Sequence, residues 1–273
     1  MKTVLITGTT SGIGKAFAEK FAYEGYNLIL AARNEQKLKQ QQAALQETYH
    51  VAVKYIAQDL TQENAAGLIM ADIDKWKATI DVLANNAGFN ECGFFTDTSL
   101  DRELEMINMH IRFVTELTKR ILVHMKENGY GRILNVGSTG SFIPSPTDAV
   151  YSATKAYIMS FSNALRGELS KTGIKITTLC PGATKTEFAA KANIQNTLLF
   201  KIAVMNPEKV VGIAYRFYPE FGTILVIPKV RLSRIHQRKS VIAAFLREIF
   251  GINFCLFTLP VFSNFRLRQN NSG

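Results

Sequence analysis

Tyr151 and Lys155 lie four residues apart in the segment Val-Tyr-Ser-Ala-Thr-Lys, with Ser138 thirteen residues upstream. On a helix, this spacing places the phenol and the ammonium on one face. A free phenol has a pKa of about 10, too high for ready proton exchange at neutral pH. A neighbouring cation favours the phenolate, so we expect Lys155 to lower the pKa of Tyr151. With Ser138 holding a carbonyl or hydroxyl oxygen beside the tyrosine, the three residues predict an acid–base site that interconverts an alcohol and a ketone.

A glycine-rich turn near the start of the chain is the second feature with a chemical interpretation. It follows an apolar run at 4–6, typical of a buried strand, and precedes a segment with helical spacing of apolar residues. A strand, a glycine turn and a helix bind a dinucleotide pyrophosphate, because the glycines let the backbone approach and the helix N-terminus offers N–H groups. The spacing differs from G-x-G-x-x-G, and a flexible turn is the alternative. The turn residues expected to bind the cofactor are Gly8, Thr10, Ser11, Gly12, Ile13 and Gly14.

These features and three more resemble the short-chain dehydrogenase/reductase family over about residues 2–228, and within it the DltE-like group of bacterial reductases. The glycine turn matches the family's nucleotide turn, and Asn108, Ser138, Tyr151 and Lys155 match the order and spacing of its catalytic tetrad. The segment Asn85-Asn86-Ala87-Gly88 matches the family's Asn-Asn-Ala-Gly strand end. The segment from Pro181 through Gly182 and Thr184 to Thr186 matches its Pro-Gly-x-x-x-Thr segment beside the nicotinamide.

The resemblance implies roles that spacing alone does not give. Lys155 would also hold the nicotinamide ribose, and Asn108 would place a water that links Lys155 to solvent. Asp59, with Leu60 beside it, matches the family residue that contacts the adenine. Without the resemblance, Asn108 is interpreted as a helix-surface asparagine and Asp59 as an N-cap or turn residue. Thr139 and Ser141 are rivals of Ser138, which the interval to Tyr151 and the preceding strand favour.

The end of the second predicted strand bears on the choice of cofactor. An acidic residue there binds the ribose 2′-hydroxyl of NAD, whereas this strand ends in Arg33. The guanidinium offers a fixed fork of donors that suits a phosphate, so we predict NADP(H). An arginine that is simply exposed at a strand end is the alternative. Ser11 stands where the family has its second basic marker.

Alternating strands and helices predict the fold class: an α/β, Rossmann-like doubly wound parallel sheet covered on both faces, with the ligand outside the carboxyl ends of the strands. We predict one such domain over 1–228 and a C-terminal extension over 229–273. Strands are expected at 2–7, 26–32, 51–57, 81–85, 132–138, 174–180 and 223–227. Helices are expected near 12–24, 35–48, 62–78, 100–128, 150–171 and 207–217.

Composition indicates a soluble globular enzyme, because the chain has 273 residues and 47% hydrophobic residues. Lys2 leads directly into an apolar strand, so we expect no signal peptide and a cytoplasmic location. Three unpaired cysteines fit buried thiols in a reducing compartment. The four histidines are scattered, so we expect no metal site. We also expect a homodimer or homotetramer.

The C-terminal extension departs from the family. Residues 217–273 carry eight Lys or Arg residues against two Glu residues, within a formal net charge of +10, and hold eight of the eighteen Phe residues. No nucleic-acid motif accompanies the basic residues, so we expect no DNA or RNA partner. The uncharged run at 249–262 is shorter than the roughly 20 residues that span a membrane. A packed helical extension, a peripheral membrane contact through an interfacial anchor and a poorly ordered end remain as alternatives.

The loops expected to line the substrate pocket are apolar, which favours a small hydrophobic carbonyl compound or alcohol, although aromatic loop residues also pack cores. Two other functions share features with this sequence. A non-catalytic NADPH-binding module that regulates a partner is the alternative to an enzyme. A sugar-nucleotide epimerase shares the Tyr-Lys pair, but a different glycine spacing and a larger substrate domain are expected of it. The pocket residues named from sequence are Phe89, Phe94, Phe142, Ile143, Pro144 and Phe188.

Overall fold

The computed structural model describes residues 1–187, 204–217 and 224–227. Phe188, the start of the seventh predicted strand and the 229–273 extension lie outside these residues. The strands are β1 Thr3–Thr7, β2 Asn27–Ala32, β3 Val53–Ala57, β4 Val82–Asn85, β5 Gly131–Val136, β6 Ile174–Pro181 and β7 Ile224–Ile227. The helices are α1 Gly12–Tyr23, α2 Glu35–Tyr49, α3 Ala65–Lys75, α4 Leu100–Ile107, α5 Val114–Glu127, α6 Ala149–Glu168 and α7 Pro207–Phe217. A π-helical turn covers Asn108–Phe113, and a 3-10 turn covers Thr139–Ser141.

The seven strands form one parallel sheet in the order β3-β2-β1-β4-β5-β6-β7. This arrangement confirms the predicted fold class. The chain extends the sheet to one side of β1 through β2 and β3, then crosses back to place β4 on the other side. Loops after β1 and β4 therefore diverge at a crevice at the carboxyl edge of the sheet, where ligands bind in such folds. Both glycine-containing motifs follow these two strands.

Successive residues of β1 alternate between two hydrophobic cores. Val4 and Ile6 face a core built with α1, α2 and α7, in which Phe17 and Phe21 are almost fully buried. Leu5 faces the other core, which is built with α3, α5 and α6. This alternation follows from the two-residue period of a strand. Burial on both faces explains why the centre of β1 is a continuous apolar run.

Two predicted helices differ from those observed. The helix expected at 62–78 begins only at Ala65, because the Asp59 Oδ1 accepts hydrogen bonds from the Thr61 N–H (3.0 Å) and hydroxyl (2.8 Å) and holds a turn. The helix expected at 100–128 is interrupted by the π-helical turn between α4 and α5. Within the described part of the chain, no helix is both long and apolar enough to span a membrane.

Candidate active site

Ser138, Tyr151 and Lys155 meet at the carboxyl end of β5. Tyr151 is in the first turn of α6 and Lys155 lies one turn further, with its Nζ 5.7 Å from the centroid of the Tyr151 ring. Lys155 is 5% exposed, and its Nζ donates a hydrogen bond to the Val136 carbonyl over 3.0 Å. Ser138 hydrogen-bonds Tyr151. The structure therefore assembles the predicted trio from two elements that are adjacent in space.

The Ser138 hydroxyl is oriented by the short turn that it begins. Its Oγ accepts a hydrogen bond from the Gly140 N–H (3.0 Å), while the Ser141 Oγ accepts one from the Ser138 N–H (3.2 Å). These reciprocal bonds form a capping box. Ser141 is therefore a buried structural partner, and Ser138 rather than Ser141 is the serine that contacts Tyr151.

The pKa of Tyr151 corrects one expectation. Burial raises the pKa of Tyr151 to about 12, while the hydrogen bond from Ser138 acts in the opposite direction. We expected Lys155 to lower this pKa, and the net direction is wrong because burial of the phenolate, together with the charge of Asp148, outweighs the hydrogen bond from Ser138. Burial also lowers the pKa of Lys155 to about 8. At neutral pH, Tyr151 is thus a neutral proton donor and Lys155 is predominantly a cation.

Asn108 begins the π-helical turn, which packs against α6. The side chain is partly buried rather than fully exposed, in contrast to the surface-asparagine alternative. Turns of this kind insert one residue into a helix and occur frequently at functional sites. The turn as a whole packs against the helix that carries Tyr151 and Lys155, and the water contact proposed for Asn108 stays a prediction.

His110, on the same π-helical turn, is a site residue that the sequence analysis set aside. It is 1% exposed, and its ring lies edge-on to that of Tyr151 with centroids 6.0 Å apart. The Nε2 accepts a hydrogen bond from the Phe89 N–H (3.3 Å), so the Nδ1 carries the proton and donates to the Thr154 Oγ1 (2.9 Å). Burial, with the charge of Lys155, lowers the pKa of His110 well below its usual value. The neutral imidazole therefore links the loop after β4 to the helix of Tyr151.

The glycine turn has a backbone that side chains would obstruct. Gly8 and Gly12 have φ values of 71° and 55°, in the left-handed region that favours glycine. A Cβ on Gly14 would lie 2.1 Å from the Gly8 carbonyl oxygen. Ser11 is the N-cap of α1, but its side chain makes no capping hydrogen bond. The first N–H groups of α1 are therefore not capped by Ser11, which fits the binding of a pyrophosphate.

The other two cofactor motifs converge on this turn. The Asn86 Nδ2 donates to the carbonyl oxygens of Thr7 (2.9 Å) and Gly8 (3.1 Å), and a Cβ on Gly8 would lie 2.8 Å from the Cα of Ala87. Gly88 is equally confined, because its Cβ would lie 2.8 Å from the His110 Nε2. The structure thus brings the loops after β1 and β4 together.

The segment after β6 approaches the same turn. A Cβ on Gly12 would lie 2.7 Å from the Thr186 Cγ2, and the Thr184 Oγ1 donates to the Gly182 carbonyl oxygen (3.0 Å). A cavity of about 710 Å³ lies between the glycine turn and Thr186. Its lining combines lysine and glutamate side chains, so its net charge alone does not select an anion. The remaining motif residues at this edge are Thr10, Ile13 and Pro181.

The residues predicted at the adenosine end differ in their surroundings. Arg33 is exposed directly after β2, as the sequence predicts for this position. Asp59 uses one carboxylate oxygen to hold the turn with Thr61, as in the alternative interpretation. Leu60 is 2% exposed and packs in the core, so an adenine contact there would involve its backbone.

Of the pocket residues predicted from sequence, some are partly buried and others are exposed. Phe89 packs between the Arg102 guanidinium, whose carbon lies 4.3 Å from the ring centroid, and His110. Phe94 is 69% exposed and so is not enclosed by the described residues. Phe142 and Ile143 are partly buried beside the 3-10 turn, and Pro144 is exposed. The described residues hold no group of three or more His, Cys, Asp or Glu side chains that could bind a metal.

A parallel sheet with a glycine turn and a Ser-Tyr-Lys site defines a nucleotide-binding oxidoreductase of the short-chain type. The short-chain dehydrogenase family model matches residues 2–197, and the chain belongs to this family. The resemblance to the DltE-like group stays a prediction.

Known relatives differ in their described activities. The chain is 32% identical to an uncharacterized oxidoreductase of Staphylococcus epidermidis, over 68% of this chain and 79% of that protein. It is 34% identical to the inactive hydroxysteroid dehydrogenase-like protein 1 of Homo sapiens, over 69% of this chain and 58% of that protein. Among solved structures, a short-chain dehydrogenase from Sphingobium yanoikuyae in complex with NADPH superposes with a TM-score of 0.80 and 28% identity, over 96% of this chain and all of that one.

Proposed function

We propose that the protein is an NADP(H)-dependent oxidoreductase that interconverts a ketone or aldehyde and an alcohol. The observation that carries this proposal is the meeting of Ser138, Tyr151 and Lys155 at the sheet edge where the glycine turn lies. Gly12, Gly14 and the N-terminus of α1 would hold the pyrophosphate, with the segments ending at Gly88 and Thr186 on either side. When bound, the nicotinamide exchanges a hydride with the carbonyl carbon.

Each side chain of the site then has a defined task in carbonyl reduction. Tyr151 donates its proton to the oxygen on which negative charge develops, and Ser138 hydrogen-bonds the same oxygen. The Lys155 cation stabilises the phenolate that Tyr151 becomes, which offsets part of the cost of burying that charge. Asn108 is proposed to hold a water that reconnects Lys155 with solvent. In alcohol oxidation, the same steps run in reverse.

The preference for NADP(H) rests on the exposed Arg33 at the end of β2, where no carboxylate is present. A carboxylate at this position would repel a 2′-phosphate, whereas a guanidinium forms charge-assisted hydrogen bonds with it. The NADPH complex of the Sphingobium relative supports this choice. We propose a small hydrophobic carbonyl compound or alcohol as the substrate.

The test is turnover of a panel of ketones and alcohols with NADPH, NADH and their oxidised forms, followed by the absorbance of the reduced nicotinamide. Tyr151→Phe is expected to lower kcat at least about 100-fold, the lower range for general acid catalysis, with unchanged NADPH affinity. Tyr157→Phe is the matched control, because this tyrosine lies on the same helix and its hydroxyl bonds Thr115 over 2.7 Å. Near-normal kcat in Tyr151→Phe would contradict the proton-donor role.

A non-catalytic NADPH-binding module is the second candidate, favoured by the human relative whose name describes it as inactive. The presence of Asn108, Ser138, Tyr151 and Lys155 together supports the enzyme instead. Measured NADPH binding, with no turnover in the whole panel, would establish the module.

We further propose a cytoplasmic homodimer or homotetramer, with 229–273 as a packed extension or a peripheral membrane contact. The basic and aromatic composition of this segment supports contact with anionic lipid. Flotation of the full chain with anionic and with neutral liposomes separates these two alternatives. A contact with anionic lipid predicts flotation with the anionic vesicles alone, whereas a packed extension predicts no difference between the two vesicle types. Light scattering measures the oligomeric state.

A further inference from the structure

The loop that leads into α6 has an unusual backbone immediately before Asp148. Thr147 has a φ of 68°, a conformation that β-branched residues rarely adopt and that costs free energy. Its carbonyl accepts a hydrogen bond from the Gly93 N–H over 2.9 Å, and its hydroxyl lies 3.8 Å from the Cys92 Sγ. The loop after β4 therefore holds Thr147 in place and, with it, the direction in which the chain enters Asp148.

Asp148 is also held through its side chain. The Asn90 Nδ2 donates a hydrogen bond to the Asp148 Oδ1 over 2.7 Å, and Asn90 is 5% exposed. The Asn90 Oδ1 is enclosed and has no hydrogen-bond partner among the residues that the structure describes. A buried amide with one unsatisfied atom contributes little to folding. The buried position of Asn90 and its hydrogen bond indicate that Asn90 orients the Asp148 carboxylate.

Asp148 stands at the start of the helix that carries the reacting group. Asp148 is the residue before α6, three positions ahead of Tyr151, and its charge contributes to the raised pKa of Tyr151. It also contributes to the raised pKa of the Cys92 thiol. Asp148 itself is partly exposed, so a substrate can reach this residue from solvent.

The other charges around Asp148 have partners of their own. The Glu91 carboxylate pairs with the Arg102 guanidinium (3.7 Å), and Lys155 is bonded to the Val136 carbonyl. Among the described residues Asp148 forms no ion pair, so its charge is available to a substrate group at the start of α6. It accepts hydrogen bonds and carries negative charge, so it favours a donor and disfavours an anion.

We propose that Asp148, positioned by Asn90, is a substrate-binding residue that accepts a hydrogen bond from a hydroxyl or ammonium group close to the reacting carbonyl. This inference rests on the proposed function and narrows its substrate class to hydroxy- or amino-substituted ketones and the corresponding alcohols. A carboxylate at the same position of the substrate is selected against. The apolar residues nearby, such as Phe89, would pack against the remainder of the molecule.

Three probes of similar size separate the effect of a hydrogen-bond donor on the substrate from the effect of a negative charge. The probe 2-hydroxyacetophenone offers a donor, acetophenone lacks it, and phenylglyoxylate carries a carboxylate. We expect kcat/KM for the hydroxyketone to exceed that for acetophenone by about tenfold, the value of one hydrogen bond to a charged group. Phenylglyoxylate is expected to be poorer than acetophenone by a similar factor.

Asp148→Asn removes the charge and keeps both the acceptor for Asn90 and a good N-cap residue. It should reduce the discrimination against phenylglyoxylate relative to acetophenone about tenfold and retain the preference for the hydroxyketone over acetophenone. Asp148→Ala should also abolish the preference for the hydroxyl group. Asp97→Asn is the control, because this exposed carboxylate lies on the loop after β4 and bonds only its neighbour Thr96 among the described residues.

Affinities measured by quenching of NADPH fluorescence in the Tyr151→Phe holoprotein test the subsite without turnover. If no probe is turned over by the wild-type protein but the charge-dependent affinities are found, the proposed reaction fails and the subsite stands. Equal probe ratios in wild type and Asp148→Asn, the same change in Asp97→Asn, or no measurable binding of any probe would overturn the subsite.

Discussion

The buried Lys155 ammonium donates a hydrogen bond to the Val136 carbonyl, 3.0 Å away, at the end of the strand that leads to Ser138. This contact fixes the cation against the backbone rather than against a carboxylate. In the described part of the chain no carboxylate pairs with Lys155 to offset the loss of hydration, and burial lowers the pKa of Lys155 to about 8. Lys155 consequently loses its proton within a pH range in which activity can be assayed.

We predict that kcat/KM for carbonyl reduction falls above pH 8, by about tenfold per pH unit at the alkaline limit. The sign follows from the lowered pKa: Lys155 is charged below about 8 and neutral above it, and only the cation stabilises the Tyr151 phenolate. Tyr151, with a pKa raised to about 12, keeps its proton throughout this range. Steady-state rates measured from pH 6 to 10 test the prediction.

Lys155→Arg supplies the comparison, because a guanidinium stays protonated across this range. Its profile should remain flat where that of the wild type declines, even if its absolute rate is lower. Lys171→Met, at an exposed position after α6, should retain the wild-type profile. A wild-type rate that is constant to pH 10 would exclude Lys155 as the titrating group.

His110 links the Phe89 N–H to Thr154, whose hydroxyl bonds the Tyr151 carbonyl over 2.8 Å. We predict that His110→Leu lowers kcat more than NADPH affinity, because it releases the turn of Tyr151 without touching the glycine turn. Losing two buried hydrogen bonds corresponds to roughly 2 kcal/mol, or about 30-fold if the whole effect falls on catalysis.

The two bonds of His110 can be separated. His110→Asn places an amide donor near the Nδ1 position, and His110→Gln places a carbonyl acceptor near the Nε2 position. If the bond to Thr154 positions Tyr151, the asparagine variant should recover more activity than the glutamine variant, and Thr154→Val should resemble His110→Leu. Equal losses in kcat and in thermal stability across all four variants would indicate a purely structural role.

Much of the fold follows from local pattern. Apolar runs such as Val4–Ile6 and breaks such as Gly25 and Gly129 are local signals, so the seven strands and their order in the chain could be predicted. The meeting of Ser138, Tyr151 and Lys155 could be predicted as well, because Tyr151 and Lys155 share one helix and Ser138 directly follows a strand. These relationships need only the periodicity of each element and the parallel sheet that follows from alternation.

The remainder depends on tertiary surroundings. The π-helical turn at Asn108–Phe113 adds one residue to a helical turn, which apolar periodicity does not reveal. For the same reason His110 looked like one of several scattered histidines. The direction of the Tyr151 pKa shift could not be predicted, because it depends on how completely the folded chain excludes water from the phenol.

Substitution of glycines by alanine should have opposite effects on stability in the glycine turn and in a helix. Gly14→Ala places a Cβ 2.1 Å from a backbone oxygen, and Gly12→Ala forces alanine to a φ of 55° against Thr186. We expect Gly14→Ala to impair folding, and Gly12→Ala to lower stability by about 1–2 kcal/mol and to weaken NADPH binding. Gly67→Ala, in α3 with open space around it, should raise stability by up to about 1 kcal/mol.

Thermal unfolding and NADPH titration of the three glycine variants provide the measurements. The test is the order of the three variants in stability and in NADPH affinity, since Gly12 and Gly14 lie in one turn and Gly67 lies away from it. A Gly12→Ala protein with wild-type NADPH affinity would show that the backbone at this point does not approach the cofactor.

The exposed Arg33 leads to the last prediction, which concerns cofactor choice. Arg33→Ala should weaken NADPH binding about 10- to 100-fold, the value of charge-assisted hydrogen bonds to a phosphate, and leave NADH affinity nearly unchanged. Arg33→Asp should go further, because a carboxylate repels the 2′-phosphate and accepts hydrogen bonds from the ribose hydroxyls. Arg120→Ala on α5, where Arg120 pairs with Glu116, controls for the loss of one surface cation. Dissociation constants for both reduced cofactors, measured at two salt concentrations, test the prediction, since a phosphate contact weakens with salt. Equal losses for NADPH and NADH in Arg33→Ala would show that Arg33 does not bind the phosphate.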